Sequence, residues 1–258
     1  MDHIEELMLK VMAELTLSQA PITFKGAMML KVALAEQSEM AVARATRDID
    51  GDWLTADIDM KRMQEVLAKA IQKVDPTLFI SPFREFSHQK SAGFKIFDEH
   101  QDRIFGIDLR VYANPVSQKY LLSYHGRPVF IQGVGLAQMM ADKICAMSSQ
   151  KIFRRAKDLI DVYLLSYASQ FNFIDILQII QQNSRHLEDF KCFREQKVEL
   201  QHAYEKLDRV RNKPDFAVLY DRLQNFLAPF LEQKLISLEW TGERWEVPQK
   251  TQENRMIR

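Results

Sequence analysis

Ile104-Phe105-Gly106-Ile107-Asp108-Leu109-Arg110-Val111-Tyr112 is the stretch on which the fold turns. In an extended strand, successive side chains point to opposite faces. Phe105, Ile107, Leu109 and Val111 then form one wholly apolar face, which must be core. Ile104, Gly106, Asp108, Arg110 and Tyr112 form the other. That face carries an acid and a base in mid-strand, where Asp is disfavoured. It is either a solvated surface with an ion pair or a surface that does chemistry.

The same period of two runs from residue 78 to about 131. It marks strands at Phe94–Phe97, Lys119–Tyr124 and Pro128–Gln132, joined by short polar turns. Toward the N-terminus, Ile4, Leu7, Met8, Val11, Met12 and Leu15 repeat at helical spacing over residues 2–17, and Ala20-Pro21 breaks the run. From Ile22 a short strand leads through Lys25-Gly26-Ala27 into an apolar helix. Arg47-Asp48-Ile49-Asp50 reads as a strand end followed by Gly51. Thr55 caps a helix over about 56–74, which Pro76 ends. From residue 135 the pattern is helical almost to the end, interrupted mainly by Pro214 and Pro229. The expected architecture is α/β (α+β), a mixed sheet with flanking helices over 1–134 followed by an all-helical half over 135–258.

Composition narrows the class. The chain has 258 residues, 47% of them hydrophobic, with 35 Lys+Arg balanced by 35 Asp+Glu. That balance excludes a polybasic nucleic-acid coat, though not a local basic patch. Eight Gly and eight Pro are about half the average share. So few breakers argue against disorder and against a many-turned β-sandwich. Two cysteines, Cys145 and Cys192, build neither a disulfide framework nor a four-cysteine zinc site. The first residues lack a signal peptide's basic start, and no apolar run is long enough to span a membrane. A cytoplasmic protein is expected.

Asp48 and Asp50, two apart on a strand, share a face about 6.6–6.8 Å apart. They could converge on a hard cation such as Mg²⁺, although Asp-x-Asp also arises from turns and by chance. In the helix expected over 152–168, Asp158 and Asp161 lie on a surface that is apolar nearly all round. Burying them unpaired costs several kcal/mol each, roughly. They must meet Arg154, Lys143, Lys157, or a ligand's cation. Lys143, inside an apolar helix, is either a point charge for a phosphate or a snorkelling surface lysine. Gly26, at a strand-to-helix turn, could admit a phosphate to backbone N–H groups. The six histidines show no paired metal-ligand spacing, and there is no Walker loop, dinucleotide fingerprint or nucleophile elbow.

In order, Phe24-Lys25-Gly26-Ala27-Met28-Met29-Leu30, Arg47-Asp48-Ile49-Asp50, Ile107-Asp108-Leu109, Ala141-Asp142-Lys143 and Lys157-Asp158-Leu159-Ile160-Asp161 resemble the AbiEii/AbiGii toxin family. That family is nucleotidyltransferase-like and distantly related to the DNA polymerase beta superfamily. The resemblance spans about residues 20–168.

It implies a nucleotidyltransferase sheet with Asp48, Asp50 and Asp108 as ligands of Mg²⁺, one ion or two, and an NTP as substrate. It also implies Lys25, Gly26, Ala27, Lys143 and Asp161 around the nucleotide, and Lys143 and Asp158 in the catalytic set. Family members often carry Lys-Gly-Gly-Thr or Gly-Ser where this chain has Lys25-Gly26-Ala27-Met28. Met28 offers no hydroxyl donor, leaving Lys25, Ser38 or Arg44 as substitutes.

The function implied is transfer of a nucleoside monophosphate to an RNA (tRNA among them) or protein acceptor. The protein would then be the toxin half of a bacterial toxin–antitoxin or phage-defence pair opposed by a separate antitoxin. Two other readings stand beside it: a nucleotide-binding relative without transfer, and a structural interaction protein whose Arg154–Asp158–Asp161 cluster does no chemistry.

Overall fold

The structure, a computed structural model, describes residues 2–35, 43–55, 59–85, 90–112, 116–232 and 236–248. The chain divides into two compact units. One holds the N-terminal elements, Ala43–Met139 and Arg209–Arg211; the other holds Met140–Asp208 and the chain from Asn212 on.

The first unit opens with α1 (His3–Leu17), whose Asp2 cap accepts from Glu5 N at 2.9 Å. β1 (Ile22–Lys25) passes directly into α2 (Gly26–Leu34). After β2 (Ala43–Arg44) come β3 (Asp48–Trp53), α3 (Met60–Val74), β4 (Phe79–Glu85), β5 (Ser91–Phe97), β6 (Arg103–Val111), β7 (Ser117–Tyr124) and β8 (Arg127–Val134). Seven strands form one mixed sheet in the order β4-β5-β6-β3-β1-β8-β7. β3 runs parallel to β6, and β1 parallel to β8; the other neighbours are antiparallel.

One face of this sheet is core, and the alternation of β6 shows why. Phe105, Ile107 and Leu109 are buried, level with buried Phe94 and Ile96 on β5 and Ile49 on β3. α1 and α3 bury Met8, Val11, Met12, Met63, Leu67 and Ile71 in the same unit. Burial at about 25 cal/mol per Å² of apolar surface supplies the main driving force.

The second unit follows α4 (Leu136–Ser148), which begins in the first. It contains a 3₁₀ turn (Gln150–Arg155), α5 (Lys157–Ala168), β9 (Phe171–Asn172), α6 (Phe173–Gln182), α7 (Lys191–Glu195) and α8 (Lys197–Glu205). β10 (Val210–Arg211) then pairs with β2 inside the first unit. α9 (Phe216–Leu231), β11 (Glu239–Trp240) and β12 (Trp245–Glu246) complete the described chain. Phe226, Phe230, Phe173, Trp240 and Trp245 pack ring against ring at 4.7–6.3 Å.

Four local expectations change. Asp48 starts β3 rather than ending a strand, so Gly51 sits in mid-strand. Asp59, not Thr55, caps α3, accepting from Arg62 N at 2.9 Å; residues 56–58 lie outside the described residues. Pro229 does not interrupt the last helix: it lies inside α9, where it forgoes one backbone hydrogen bond while the helix runs on to Leu231. The C-terminal half is not all helical: β12-β11-β9 form a small sheet, with strands of two residues that are too short to show a period.

Candidate active site

β3 is the second unit of chemistry after β6, and its sequence alternates strictly. Ile49, Gly51 and Trp53 are buried on the core side, so Asp48, Asp50 and Asp52 share the opposite face. Pairing with β6 sets Asp48 level with Gly106, Asp50 with Asp108 and Asp52 with Arg110. Side chains paired in register share a face. Asp50 and Asp108 therefore stand side by side on one rung, with Asp48 one rung away.

Two glycines keep this row open. A Cβ on Gly106 would lie 2.5 Å from Asp48 Oδ1, which accepts from Arg103 Nη2 at 3.0 Å. A Cβ on Gly26 would lie 2.0 Å from Asp50 Oδ2, and Gly26 has φ +70°. Only glycine takes both that backbone conformation and that contact without cost. The carboxylate of Asp50 thus lies against the turn that opens α2, next to Lys25 and Ala27. Met28 is fully buried in the core. Arg44 lies in β2, and Ser38 is outside the described residues.

Asp52 was missed by sequence reasoning, although the run Asp48-Ile49-Asp50-Gly51-Asp52 displays it once β3 is started at residue 48. It is 2% exposed and accepts from Arg110 Nε at 3.1 Å and from the Lys25 ammonium. Lys25, expected at the nucleotide, is thereby anchored beside the acid row. A further buried acid, Glu5 of α1, pairs with Lys31 of α2 and accepts from Thr46 N at 3.1 Å. It fixes the backbone two residues ahead of Asp48. Arg47 meets Asp2 at 3.3 Å and reinforces the same joint.

All three expected metal ligands offer hard oxygen, which suits Mg²⁺. Among the described residues no group of three or more His, Cys, Asp or Glu gathers tightly enough to hold an ion alone. Mg²⁺ characteristically binds through one or two carboxylates plus substrate phosphates and water, so a shared Asp50–Asp108 rung fits that donor set.

In the second unit, Lys143, Asp158 and Asp161 come together. Lys143 Nζ donates to Asp158 Oδ1 at 2.8 Å and to Asp161 Oδ2 at 2.6 Å. Both aspartates are buried, Asp158 completely. Burial alone would lower the Lys143 pKa, but the carboxylates of Asp161 and Asp158 outweigh it and raise it above the ordinary lysine value. Arg155 holds the other oxygen of Asp158. Of the expected cations Lys143 meets both acids, and Arg155, at the end of the 3₁₀ turn, takes the place expected for Arg154 at Asp158. Two acids and two bases balance in charge, and among the described residues no buried side-chain polar atom lacks a partner.

A strand-to-helix turn built on glycine, followed by an Asp-x-Asp strand paired in parallel with a strand carrying a third acid, is the arrangement of a nucleotidyltransferase. The family model described as nucleotidyl transferase AbiEii toxin, type IV TA system, matches residues 10–246. The chain belongs to this family of nucleotidyltransferase toxins. No curated protein matches it.

Among solved structures, the fold is similar to JHP933 from Helicobacter pylori, at 16% identity and TM-score 0.55, covering 89% of this chain and 92% of that one. It is also similar to MenT4, a nucleotidyltransferase toxin from Mycobacterium tuberculosis, at 13% identity and TM-score 0.52, covering 90% and 83%. Among the described residues no helix is long and apolar enough to cross a membrane.

Proposed function

We propose that this chain moves a nucleoside monophosphate from an NTP onto an RNA acceptor, tRNA among them, in a Mg²⁺-dependent reaction in the cytoplasm. It acts as the toxin of a pair restrained by a separate antitoxin protein. The observation that supports this most directly is the shared rung of Asp50 and Asp108, with Asp48 one step along the same face.

Asp48, Asp50 and Asp108 would hold Mg²⁺, which would supply positive charge against the negative charge that builds on the phosphates during transfer. Gly26 leaves no side chain between the start of α2 and Asp50, so a triphosphate there meets backbone N–H donors. Lys25 is tethered by Asp52 beside the acids. From the family pattern the proposal also keeps Lys143 as a triphosphate contact, Asp158 as base or orienter and Asp161 in support. What favours this is a lysine held charged and fixed by two carboxylates.

The test is label transfer from each NTP, with Mg²⁺, to total tRNA or cell extract, run beside Asp48→Ala. Metal-dependent labelling of RNA that the variant loses is the expected result; labelled protein instead of RNA overturns the acceptor assignment. One second reading has an observation behind it. Buried Met28 stands where relatives place a hydroxyl donor, which favours nucleotide binding without transfer. That reading predicts an NTP-dependent thermal shift and no label on any acceptor.

A further inference from the structure

The face that carries the acids continues beyond Asp108 across two more strands. Asp48 is level with Gly106, Gly106 with Lys95 of β5, and Lys95 with Ser81 of β4. One rung on, Phe97 pairs with Phe79 and with Arg103. The opposite face of β5 buries Phe94 and Ile96, so Lys95 and Phe97 stand on the acid side. There Phe79 is 42% and Phe83 54% exposed. The Phe79 and Phe97 rings stack with centroids 5.8 Å apart, and Lys95 Nζ lies 3.4 Å from the centre of the Phe83 ring. Three rings and an ammonium thus form a shelf about 10–15 Å from Asp48, two to three strand spacings away. Arg103, which holds Asp48, lies between the two.

Partly exposed aromatic side chains with a cation among them suit unpaired bases, whose flat faces stack without regard to sequence while the cation takes the phosphate. Continuity with the acid row says which molecule that is: one whose reacting end lies at Asp48–Asp50–Asp108. We propose that Phe79, Phe83, Phe97 and Lys95 form the acceptor subsite, stacking the unpaired end of a nucleic-acid strand. The bases gripped lie about three to four nucleotides from the reacting group, at about 3.4 Å per stacked nucleotide. The assignment rests on the transfer reading above and adds to it the chemistry of the acceptor's end.

The test uses the full chain and fluorescence anisotropy with unpaired 12-nucleotide RNA and DNA probes and a blunt duplex. Phe83→Ala, Phe79→Ala and Lys95→Ala are compared with Phe130→Ala, an equally exposed phenylalanine on β8. Unpaired probes should bind better than duplex, with affinity falling about tenfold in Phe83→Ala and Phe79→Ala and unchanged in Phe130→Ala. Binding of both RNA and DNA probes points to stacking alone, and RNA only adds 2′-hydroxyl recognition; either supports the subsite. No binding of unpaired probes by the wild type, or equal binding by all variants, overturns it.

Transfer by the wild-type chain separates the two proposals, with Asp48→Ala as its inactive control. No transfer by the wild type, with probe binding at the shelf intact, removes the enzymatic reading alone. Transfer to RNA that is indifferent to the Phe83 and Phe79 variants removes the shelf alone.

Discussion

Asp52 Oδ1 accepts from Arg110 Nε at 3.1 Å across the parallel β3–β6 pair, and the same oxygen takes the ammonium of Lys25 from β1. One buried carboxylate therefore ties the three central strands together on the face that carries the candidate catalytic acids. Removing it leaves two cations facing each other at the inner edge of the site. Asp52→Ala is expected to lower stability by about 3 kcal/mol, the low end for a broken buried pair because both cations are partly exposed. Urea unfolding measures this, and a midpoint equal to wild type would contradict it.

Asp50 and Asp108 share a rung, so neutralising either should act on chemistry more than on folding. Asp108→Asn and Asp50→Asn are expected to cut nucleotide transfer by at least about 100-fold while the melting temperature stays near wild type. Gly26→Ala behaves differently. Its new methyl meets Asp50 Oδ2 in a left-handed backbone conformation, so both stability and transfer fall together. Parallel melting curves and transfer assays distinguish the two patterns.

Lys143 donates to Asp161 Oδ2 and shares Asp158 with Arg155. Lys143→Met leaves two buried carboxylates with one cation, at a cost of about 3–5 kcal/mol. The pH dependence follows from sign. The Lys143 pKa is raised in the folded chain, so its contribution is whole below the ordinary lysine value and is lost as pH rises through the folded one. Wild type should lose this contribution only in strong alkali. Lys143→Met should lack this alkaline loss, and unfolding midpoints followed from neutral pH into strong alkali read the difference.

Cys145 has its thiol pushed up to about 11, chiefly by burial. Thiolate is the nucleophile, so alkylation at pH 8 should be far slower than for the same thiol in the unfolded chain, and should climb steeply toward pH 11. Peptide mass spectrometry after timed iodoacetamide exposure follows the site. Fast labelling in the folded protein at pH 8 would refute the burial argument.

Much of the fold was legible because its signals are local. The alternation in 104–112 placed the core face of β6 and put Asp108 on the other, and the spacing of Ile4 through Leu15 placed α1. Register is not local. That Asp50 meets Asp108, rather than a neighbour one residue away, depends on pairing between distant strands, which no period in either strand specifies. Asp52 escaped notice because a strand thought to end at Asp50 had no third position. Arg155 displaced Arg154 because residues 150–155 wound as 3₁₀ rather than α, a turn that Ser149 caps by accepting from Lys151 N at 3.2 Å. The small sheet of β9, β11 and β12 is built from pairs of residues, and its stability comes from the rings around Phe226, which composition alone does not assemble.

The parallel pairing of β3 with β6 has a kinetic side. Asp52 and Arg110 are 58 residues apart, and the intervening α3, β4 and β5 must be made before the rung can close. Non-local parallel pairings of this kind form slowly, because loop closure costs entropy before contacts repay it. A ribosome still translating β5 therefore carries an acid row with no counterpart, and the candidate pair of Asp50 and Asp108 is complete only after β6 has emerged and docked.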